Sequence, residues 1–355
     1  MFGISQEKEV VGLDIGSYSI KAVELKSKRK GKEKTYEVKK IGYELLPKDA
    51  IVEGTIIDSS AVAETINILF KENKISNKNV AISISGNSVI IKKISLPPME
   101  TEELSESIIW EAKHNIPYPY EETNIDYAIL KPSEYTEEKN LDILLVAAKK
   151  DKITNYSNVV SQLRKKLVTI DIDVFALQNA IEINYPEISK TKTYTIINLG
   201  ANIINIIIIE KGIPQLFRDL SIGGSFFAEN LSKELKISIE DAEKALKGLP
   251  VKDLQPEHFQ SVLSVNIQNL LEEIGKTFSF YEAGEKNKRK IDLVFLCGGL
   301  SKLKDLVSAF EQTFGMKTEI VNPFRRIPFN ERNFDPIYFD EMAALFGVAI
   351  GLATR

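Results

Sequence analysis

The segment from Asp14 to Lys21, with the sequence DIGSYSIK, carries side chains that together could bind phosphate and a divalent cation. Gly16 lets the backbone approach a ligand closely, and successive amide N–H groups in such a turn can form an anion-binding concavity. Ser17 and Ser19 add hydroxyl donors. Lys21 supplies a point charge suited to phosphate, whereas Asp14 can organise hydrated magnesium. Taken alone, however, the pattern D-x-G-S is more often a structural turn in an α/β protein.

Three further glycine-containing segments could complete such a site. The segment Asn198–Asn205 (NLGANIIN) repeats the first pattern, and its simpler interpretation is a β-hairpin with Gly200 at the turn. Ser221–Ser225 and Leu296–Ser301 each place Gly-Gly directly before a predicted helix, whose N-terminal N–H groups can bind a ligand. In Leu296–Ser301 the glycines would also let a flat ring approach the backbone.

Strands and turns must position these segments, and one order of strands and turns occurs twice in the chain. Apolar runs and alternation predict three strands around the first segment and three around the second. They are Val10–Asp14, Ile20–Leu25, Tyr36–Leu46, Tyr194–Leu199, Ile203–Glu210 and Pro214–Asp219. This internal similarity predicts two related lobes, each beginning with a candidate ligand-binding turn.

Helical spacing of apolar residues fills most of the remaining chain. The first predicted helix, Ile57–Asn73, has an apolar face formed by Ile57, Ala61, Thr65, Ile68 and Leu69. The others are Thr101–Asn115, Lys152–Lys166, Ala176–Tyr185, Ser225–Leu235, Ile239–Lys247, Phe259–Glu282, Ser301–Phe314 and Glu341–Leu352. Short strands are predicted at Val168–Val174 and Ile291–Leu296, and Lys286–Lys290 is predicted to be an exposed loop.

The stretch of about residues 80–148 is predicted to be an inserted β–α–β–β module. Val80–Ile84 and Val89–Ile94 are interpreted as paired strands that are joined through Gly86-Asn87, a good turn dipeptide. The module's helix should bury Leu104, Ile108 and Ala112. Its Trp110 either packs in the core, the interpretation we favour, or lines a partner groove.

Composition limits the classes of function. With 355 residues, 43% hydrophobic and 27% charged, the chain should form about two globular domains. A net charge of −4 argues against nucleic acid as a partner. One cysteine, Cys297, excludes an internal disulfide and is interpreted as a small packing residue rather than a nucleophile. No signal peptide or membrane span is predicted, and the basic run Lys26–Lys34 is interpreted as a solvated hairpin loop, the alternative being a patch for acidic lipid or a partner.

The order of the four segments resembles that of the actin-like ATPase superfamily, and within it the chain is similar to the PilM family of type IV pilus assembly. The similarity spans nearly the whole chain and rests on Gly12–Leu25, Ile94–Tyr127, Asp171–Ala180, Gly223–Leu231, Ala242–Pro250, Leu296–Leu306 and Phe346–Arg355. It implies an α/β, actin-like (ribonuclease H-like) two-lobed fold with an inserted small β-α-β-β subdomain. The N-terminal lobe would be 1–190, with subdomain 1A at about 1–79 and 149–190 and subdomain 1C at about 80–148. The C-terminal lobe would be 191–355, with subdomain 2A at about 191–224 and 290–355 and subdomain 2B at about 225–289.

The resemblance also implies ATP and Mg²⁺ as cofactors and assigns residues to them. The first phosphate loop would be Asp14, Gly16, Ser17, Tyr18, Ser19 and Lys21, with Asp14 holding Mg²⁺ through water. The second would be Asn198, Gly200, Ala201, Asn202 and Asn205. Ribose, base and the rest of the adenosine would be contacted by Gly223, Gly224, Glu243, Lys247, Gly298, Gly299 and Leu300. The catalytic candidates would be Asp14 and, near the attacking water, Asp173.

Three departures from the family pattern concern catalysis. Asn198 stands where relatives usually carry Asp, and an amide cannot compensate the charge of Mg²⁺ as a carboxylate does. Ile203 and Ile204 stand where relatives commonly have Thr. Leu246 stands where the family pattern has a lysine, and Lys247, one position later, could take over the role of that lysine. Losing one preorganised group at such a site typically costs about 3–4 kcal/mol of transition-state stabilisation. We therefore expect nucleotide binding with weak or absent ATPase activity.

The resemblance implies a cytoplasmic ATP-binding adaptor that binds the N-terminal cytoplasmic tail of the inner-membrane protein PilN. The tail would lie between the first subdomain and the inserted module, and PilN would recruit the chain to the inner face of the cytoplasmic membrane. A pilus motor ATPase and self-association are further partners to consider. The alternative is an FtsA-like filament-forming protein, which the end of the chain at Thr354-Arg355 disfavours because such proteins continue into an amphipathic helix. A sugar kinase would need sugar-contacting loops that we do not find.

Overall fold

The computed structural model describes residues 9–30, 33–130, 140–284 and 290–355. Its strands are β1 Val11–Ile15, β2 Ser19–Lys30, β3 Glu33–Leu45, β4 Ile51–Val52, β5 Thr55–Ile56, β6 Asn79–Ile84, β7 Val89–Leu96, β8 Thr123–Ile129, β9 Leu141–Lys149, β10 Lys166–Ile172, β11 Thr193–Leu199, β12 Ile204–Glu210, β13 Ile213–Leu220, β14 Leu293–Cys297 and β15 Lys317–Ile320. Its α-helices are α1 Ser59–Glu72, α2 Thr101–Asn115, α3 Lys150–Gln162, α4 Asp173–Asn184, α5 Pro186–Ser189, α6 Gly224–Leu235, α7 Ile239–Leu246, α8 Pro256–Ala283, α9 Leu306–Phe314, α10 Pro336–Met342 and α11 Gly347–Ala353.

Two five-stranded sheets with the same connectivity form the centres of the two lobes. Their strand orders are β10-β6-β1-β2-β3 and β13-β12-β11-β14-β15. In each sheet an antiparallel meander of three strands is extended by two parallel strands. The predicted repeat of strands and turns is therefore confirmed, and the two candidate phosphate loops occupy equivalent positions, β1–β2 and β11–β12.

The cores follow from the apolar content of these strands. Each five-stranded sheet contributes fully buried side chains, among them Leu13 of β1 and Ile207 of β12. The apolar run that includes β12 is a buried strand, as predicted. Helix α11 is buried along its whole length and packs on β1 and α4. The C-terminal segment thus completes the core of the first lobe, next to the strand that leads into the first candidate loop.

The inserted module is a three-stranded antiparallel sheet, in the order β7-β9-β8, with α2 packed on it. Leu104, Ile108 and Ala112 are buried on α2, as predicted. Trp110 was predicted to pack in the core, and that prediction is wrong. Its side chain is 58% exposed because it lies on the outer face of α2, where its ring centroid is 4.0 Å from that of His114.

The predicted pairing of Val80–Ile84 with Val89–Ile94 is also wrong. The first of these strands, β6, is buried between β1 and β10 in the sheet of the first lobe. The second, β7, pairs with β9 in the inserted module. The chain therefore passes from one sheet to another at Gly86-Asn87 instead of turning back on itself, although the subdomain boundaries themselves stay predictions.

Two further local predictions need correction. Ile57 and Ile68 were expected on the buried face of the first helix but are 65% and 40% exposed. Asp58 caps that helix, which leaves Ile57 outside it, and the buried face instead consists of Val62, Ala63, Thr65, Ile66, Leu69 and Phe70. The basic run at 26–34 is mostly strand, since β2 continues to residue 30 and β3 starts at residue 33. Residues 31–32 and most of the predicted loop at 286–290 lie outside the described residues.

Across the described ranges, no single helix is both long enough and apolar enough to cross a membrane. One bent pair of helical segments, Pro336–Leu345 and Gly347–Ala353, which meet at 91°, passes that test jointly, on length and composition only.

Candidate functional site

A cavity of about 640 Å³ lies between the two lobes. Its volume falls within the range of roughly 300–1,000 Å³ that is usual for small-molecule sites. Most of the residues predicted to contact a nucleotide line it, namely Asp14, Gly16, Ser17, Tyr18, Ser19, Lys21, Asp173, Asn198, Gly200, Ala201, Asn202, Asn205, Gly224, Glu243, Lys247, Gly298, Gly299 and Leu300. Gly223, also predicted, does not line the cavity. It packs against the second loop, where a Cβ on Gly223 would be 2.4 Å from the carbonyl oxygen of Ala201.

The first loop contains an ion pair. Asp14 and Lys21 lie directly opposite each other on β1 and β2, and Lys21 Nζ is 3.2 Å from Asp14 Oδ2. Both side chains are largely buried, at 14% and 13% exposure. Burial raises the pKa of Asp14, Lys21 opposes that shift, and the nearby Asp173 adds to it. The loop therefore holds one negative and one positive group that a ligand carrying both phosphate and a cation could satisfy separately.

The second loop contains amides instead of charges. Asn198 and Asn205 lie opposite each other on β11 and β12, and Asn198 Nδ2 donates to Asn205 Oδ1 at 3.1 Å. The start of α6 holds the turn in place, because the Gly224 and Ser225 N–H groups donate to the carbonyl oxygens of Gly200 and Ala201. Those two N–H groups, which the sequence offered as ligand donors, are thus already used inside the protein.

The third loop follows β14 and differs from its prediction. The sequence predicted one helix over Ser301–Phe314, but a 3₁₀ turn at Gly299–Lys302 comes first and α9 begins only at Leu306. The turn is closed by the Ser301 hydroxyl, which donates to the carbonyl oxygen of Gly298 at 2.7 Å. The donors nearest the cavity at this position therefore belong to the 3₁₀ turn and not to the N-terminus of an α-helix.

Cys297 lies under this turn and is 1% exposed. Its Sγ is 3.6 Å from the carbonyl oxygen of Ile197 and 3.7 Å from Asn198 Oδ1. Burial strongly raises the pKa of the thiol, with a smaller contribution from the charge of Asp14. The neutral thiol is the less nucleophilic form of the side chain, which agrees with a packing role.

Tyr18, Glu243 and Lys247 form a contact across the mouth of the cleft. Tyr18 belongs to the β1–β2 turn of the first lobe, whereas the other two residues lie on and just after α7. The Tyr18 hydroxyl donates to Glu243 Oε2 at 3.1 Å and accepts from Lys247 Nζ at 2.5 Å. Partial burial is the main cause that raises the pKa of Tyr18, so the phenol stays protonated at neutral pH. We refer to these three residues as the mouth contact.

Two charged residues near the cleft were missed by the sequence reasoning. Lys152 is 8% exposed and its Nζ donates to the carbonyl oxygens of Gly54 and Ser85, at 2.8 and 2.6 Å. Asp219 on β13 accepts from Asn205 Nδ2 at 2.9 Å and from the Gly86 N–H at 2.8 Å. Desolvation in the cleft raises the pKa of Asp219, and burial lowers that of Lys152.

A signal for Asp219 was present in the sequence. Once the strands of the second meander are aligned, Asp219 falls directly opposite Asn205. Lys152 had no comparable signal, because it stands in a run of lysines that resembles a solvated surface.

Asp14 is the carboxylate that the first loop offers to a cation. The structure describes no cluster of three or more His, Cys, Asp and Glu side chains that could hold a metal ion within its four ranges. Mg²⁺ usually keeps several waters and takes one or two carboxylates together with substrate phosphates. The surroundings of Asp14, with the hydroxyls of Ser17 and Ser19 and the ammonium of Lys21, fit such a hydrated ion bound to a phosphorylated ligand.

Comparison with known proteins places the chain in the same family and fold that the sequence resemblance indicated. The family model for the type IV pilus assembly protein PilM matches residues 12–355. A chain of a solved structure described as a PilM-PilN type IV pilus biogenesis complex is 24% identical, with a TM-score of 0.85 and 98% of each chain covered. The ethanolamine utilization protein EutJ of Carboxydothermus hydrogenoformans is 14% identical, with a TM-score of 0.56 and coverage of 98% of this chain and 89% of that one. MreB5 of Spiroplasma citri bound to ADP is 14% identical, with a TM-score of 0.51 and coverage of 97% and 95%. The predicted actin-like α/β fold is confirmed.

Proposed function

The chain belongs to the family of the type IV pilus assembly protein PilM, and from that premise we propose that it is an ATP-binding cytoplasmic adaptor for the N-terminal tail of PilN. The observation that carries the proposal is the cleft, in which four separate loops from two lobes bring together the groups that a nucleotide needs. The complex that contains the 24% identical chain also holds PilN, which supports PilN as the partner.

Nucleotide phosphates would lie between the first and second loops. Lys21 would leave Asp14 and pair with a phosphate oxygen, because an ammonium is a point charge that suits phosphate. Asp14 would then hold the water shell of Mg²⁺, which bridges phosphate oxygens when bound. The MreB5 protein, which has a similar fold, is bound to ADP in its structure, and this supports a nucleotide as the ligand.

Adenosine would lie beyond the phosphates, against the turn at Gly298-Gly299-Leu300 and the start of α6. Leu300 is 7% exposed and supplies an apolar surface for the base. Glu243 and Lys247 lie at the mouth, within reach of a ribose, and would exchange their hydrogen bonds with Tyr18 for bonds to the ligand. The two hydrogen bonds of the mouth contact would therefore be present in the empty cleft and broken when a nucleotide is bound.

Turnover is expected to be slow or absent. The second loop has no carboxylate, because its first position is Asn198 and this amide is already bonded to Asn205. Asp173, at the start of α4, lines the cavity and is the remaining candidate to orient a water molecule. Binding does not require a carboxylate in the second loop, whereas hydrolysis needs groups on both sides of the reacting phosphate.

The PilN tail would bind as an extended segment between the first subdomain and the inserted module, with apolar side chains in pockets. PilN would thereby hold the adaptor at the inner face of the cytoplasmic membrane. Nucleotide can influence this binding only if its affinity differs between two arrangements of the lobes. A motor ATPase and self-association remain predictions for the same protein.

Nucleotide binding is tested by thermal melting of the full chain with and without MgATP. A ligand at 100 times its Kd stabilises the folded state by about 2.7 kcal/mol, so a clear rise in Tm is expected. Asp14→Ala should abolish the rise, whereas Glu234→Ala, an exposed acid of α6 away from the cavity lining, should keep it. Equal melting of the wild type at saturating MgATP would refute nucleotide binding.

Partner binding is tested by calorimetry of the full chain with a synthetic peptide of the PilN N-terminus from the same organism. We expect a Kd in the micromolar range or tighter, and no binding of a scrambled peptide of the same composition. Absence of heat together with absence of competition in a fluorescence assay would contradict the adaptor function, whatever the result with nucleotide.

A further inference from the structure

A single peptide group lies between two opposite charges at the edge of the cleft. The carbonyl oxygen of Ser85 accepts from Lys152 Nζ at 2.6 Å, and the N–H of the same peptide unit, on Gly86, donates to Asp219 Oδ2 at 2.8 Å. Lys152 belongs to the first lobe, whereas Asp219 belongs to the second. Hydrogen bonds to ionised groups are roughly twice as strong as neutral ones, so this peptide is a well-held link between the lobes.

From Asp219 the hydrogen bonds continue to the second loop. An ionised carboxylate only accepts, so Asn205 must turn its Nδ2 toward Asp219 Oδ1, at 2.9 Å. The Oδ1 of Asn205 then faces the other way and accepts from Asn198 Nδ2 at 3.1 Å. Asp219 therefore sets the orientation of both amides, including that of Asn198, which lines the proposed phosphate site.

The other end of this series of bonds is the point at which the chain enters the inserted module. Gly86 is buried between the end of β6 and the start of β7, with a φ of 83°. A Cβ on Gly86 would lie 2.8 Å from Cδ1 of Ile203, a residue of the second loop, so the backbone there fits tightly against the opposite lobe. The second loop and Gly86 are therefore in close contact across the lobes.

A second contact joins β13 to the module. Lys93 of β7 donates to Gln215 of β13 at 3.4 Å and also pairs with Asp142 of β9 at 2.8 Å. Both ends of β13 thus touch segments of, or leading into, the module: Gln215 near its start and Asp219 near its end. Movement of β13 relative to the first lobe would be transmitted to β7 at both positions.

We propose that Asp219 is a positioning residue that couples occupancy of the second loop to the inserted module, and hence to the partner that the module binds. Rearrangement of Asn198 around a phosphate breaks or weakens its bond to Asn205. Asn205 is then free to change its bond to Asp219, and the position of the Ser85–Gly86 peptide changes with it. The inference rests on the proposed function, because it needs a nucleotide in the cleft and a peptide at the module.

The test is a binding cycle on the full chain with two probes, MgAMPPNP and the PilN N-terminal peptide. Peptide Kd is measured with and without saturating nucleotide, and the ratio is the coupling factor, which is the same when measured in the reverse order. In the wild type we expect a factor of about fivefold or more, the lower end for coupled sites. Asp219→Ala should reduce it below twofold, while both probes still bind.

Two additional variants separate coupling from general damage. Asp219→Asn keeps the shape of the side chain but offers one acceptor in place of two, so it should also lose most of the factor even if the alanine variant folds poorly. Glu234→Ala, in the same lobe, should keep the full factor. Hydrogen exchange of the Gly86 amide gives an independent readout, and it should become faster in both Asp219 variants without any ligand.

The outcomes are distinguishable. If the wild type binds both probes independently, or if the Asp219 variants keep the wild-type factor, the inference is wrong and the proposed function stands. If the wild type binds neither probe, the proposed function is refuted and the inference falls with it. A factor that is lost in both Asp219 variants and kept in Glu234→Ala supports the inference.

Discussion

Gly298 lines the cleft at a position where both the backbone conformation and the available space disfavour a side chain. Its φ of 82° and ψ of 176° lie in a region that is essentially restricted to glycine. A Cβ there would lie 2.6 Å from the carbonyl oxygen of Leu199 and 2.8 Å from Asn198 Oδ1. The carbonyl oxygen of Leu199 belongs to the backbone at the end of a buried central strand, so it cannot move away easily. Gly298→Ala should therefore disturb the third and second loops together.

The cost of Gly298→Ala can be divided into two parts. A non-glycine residue in such a backbone region costs about 1–3 kcal/mol. Forcing extra volume into a well-packed site costs about another 1–3 kcal/mol. The sum is centred near 4 kcal/mol, which corresponds to a fall in Tm of roughly 8–16 °C for a lobe of this size. Gly315→Ala is the matched control, because Gly315 has a φ of 64° with open space around its Cβ position, and it should cost only about 1–2 kcal/mol.

The assay is thermal melting of the two alanine variants and the wild type, with and without MgATP. Gly298→Ala should melt well below Gly315→Ala and should lose the nucleotide-dependent rise in Tm while it is still folded. Gly315→Ala should keep that rise. If the two variants melt within 2 °C of each other, the overlap with Leu199 is relieved at little cost and the reasoning from Cβ distances is refuted.

Three other changes test the charges and hydrogen bonds of the cleft. Burial raises the pKa of Asp14, so ionisation of this carboxyl lowers the stability of the fold as the pH rises from 3.8 through the raised pKa; in scanning calorimetry, Asp14→Asn should lack this part of the wild-type dependence of Tm on pH, and an unchanged dependence would contradict the raised pKa. Tyr18→Phe removes both bonds of the mouth contact and should lower the Tm by only a few degrees, because each bond contributes about 0.5–1.5 kcal/mol; an unchanged exchange rate on α7 would contradict the contact. Asn198→Asp restores a carboxylate and should raise Mg²⁺-dependent phosphate release by about tenfold or more, and no increase would show that the amide is not what limits turnover.

The two meanders could be predicted from sequence because the signals are local. Alternation of apolar residues and a glycine turn within a few positions define each hairpin, and both hairpins were placed correctly. The pairing of β6 with β7 was wrong because the choice of partner strand is not local. Four of the five residues in the run VAISI are apolar and do not alternate strictly with polar ones, as is usual for strands buried within parallel sheets, and that pattern favours the centre of a sheet over a hairpin.

The candidate site could be predicted in outline and not in its contacts. Glycines, serines and Asp14 mark the loops, since those residue types can serve phosphate binding in such turns. Nothing in the sequence pairs Tyr18 with Lys247, because these residues are 229 positions apart and belong to different lobes. Lys152 and the carbonyl oxygen of Ser85, 67 positions apart in the chain, likewise have no local pattern that would pair them.

The unequal chemistry of the two loops has a geometric basis in the aligned meanders. In the first lobe the carboxylate, Asp14, stands on the first strand, with Lys21 opposite it. In the second lobe the corresponding row reads Asn198, Asn205, Asp219, so the carboxylate stands two strands further out. At a strand spacing of about 4.8 Å this is a displacement of roughly 10 Å. The interaction of two unit charges in water falls from about 1 kcal/mol at 4 Å to about 0.4 kcal/mol at that distance. Asp219 is thus too remote to replace the carboxylate that position 198 lacks, yet it lies where it can bind Gly86 at the entrance to the inserted module, which agrees with the proposed coupling and with the proposal that turnover is slow.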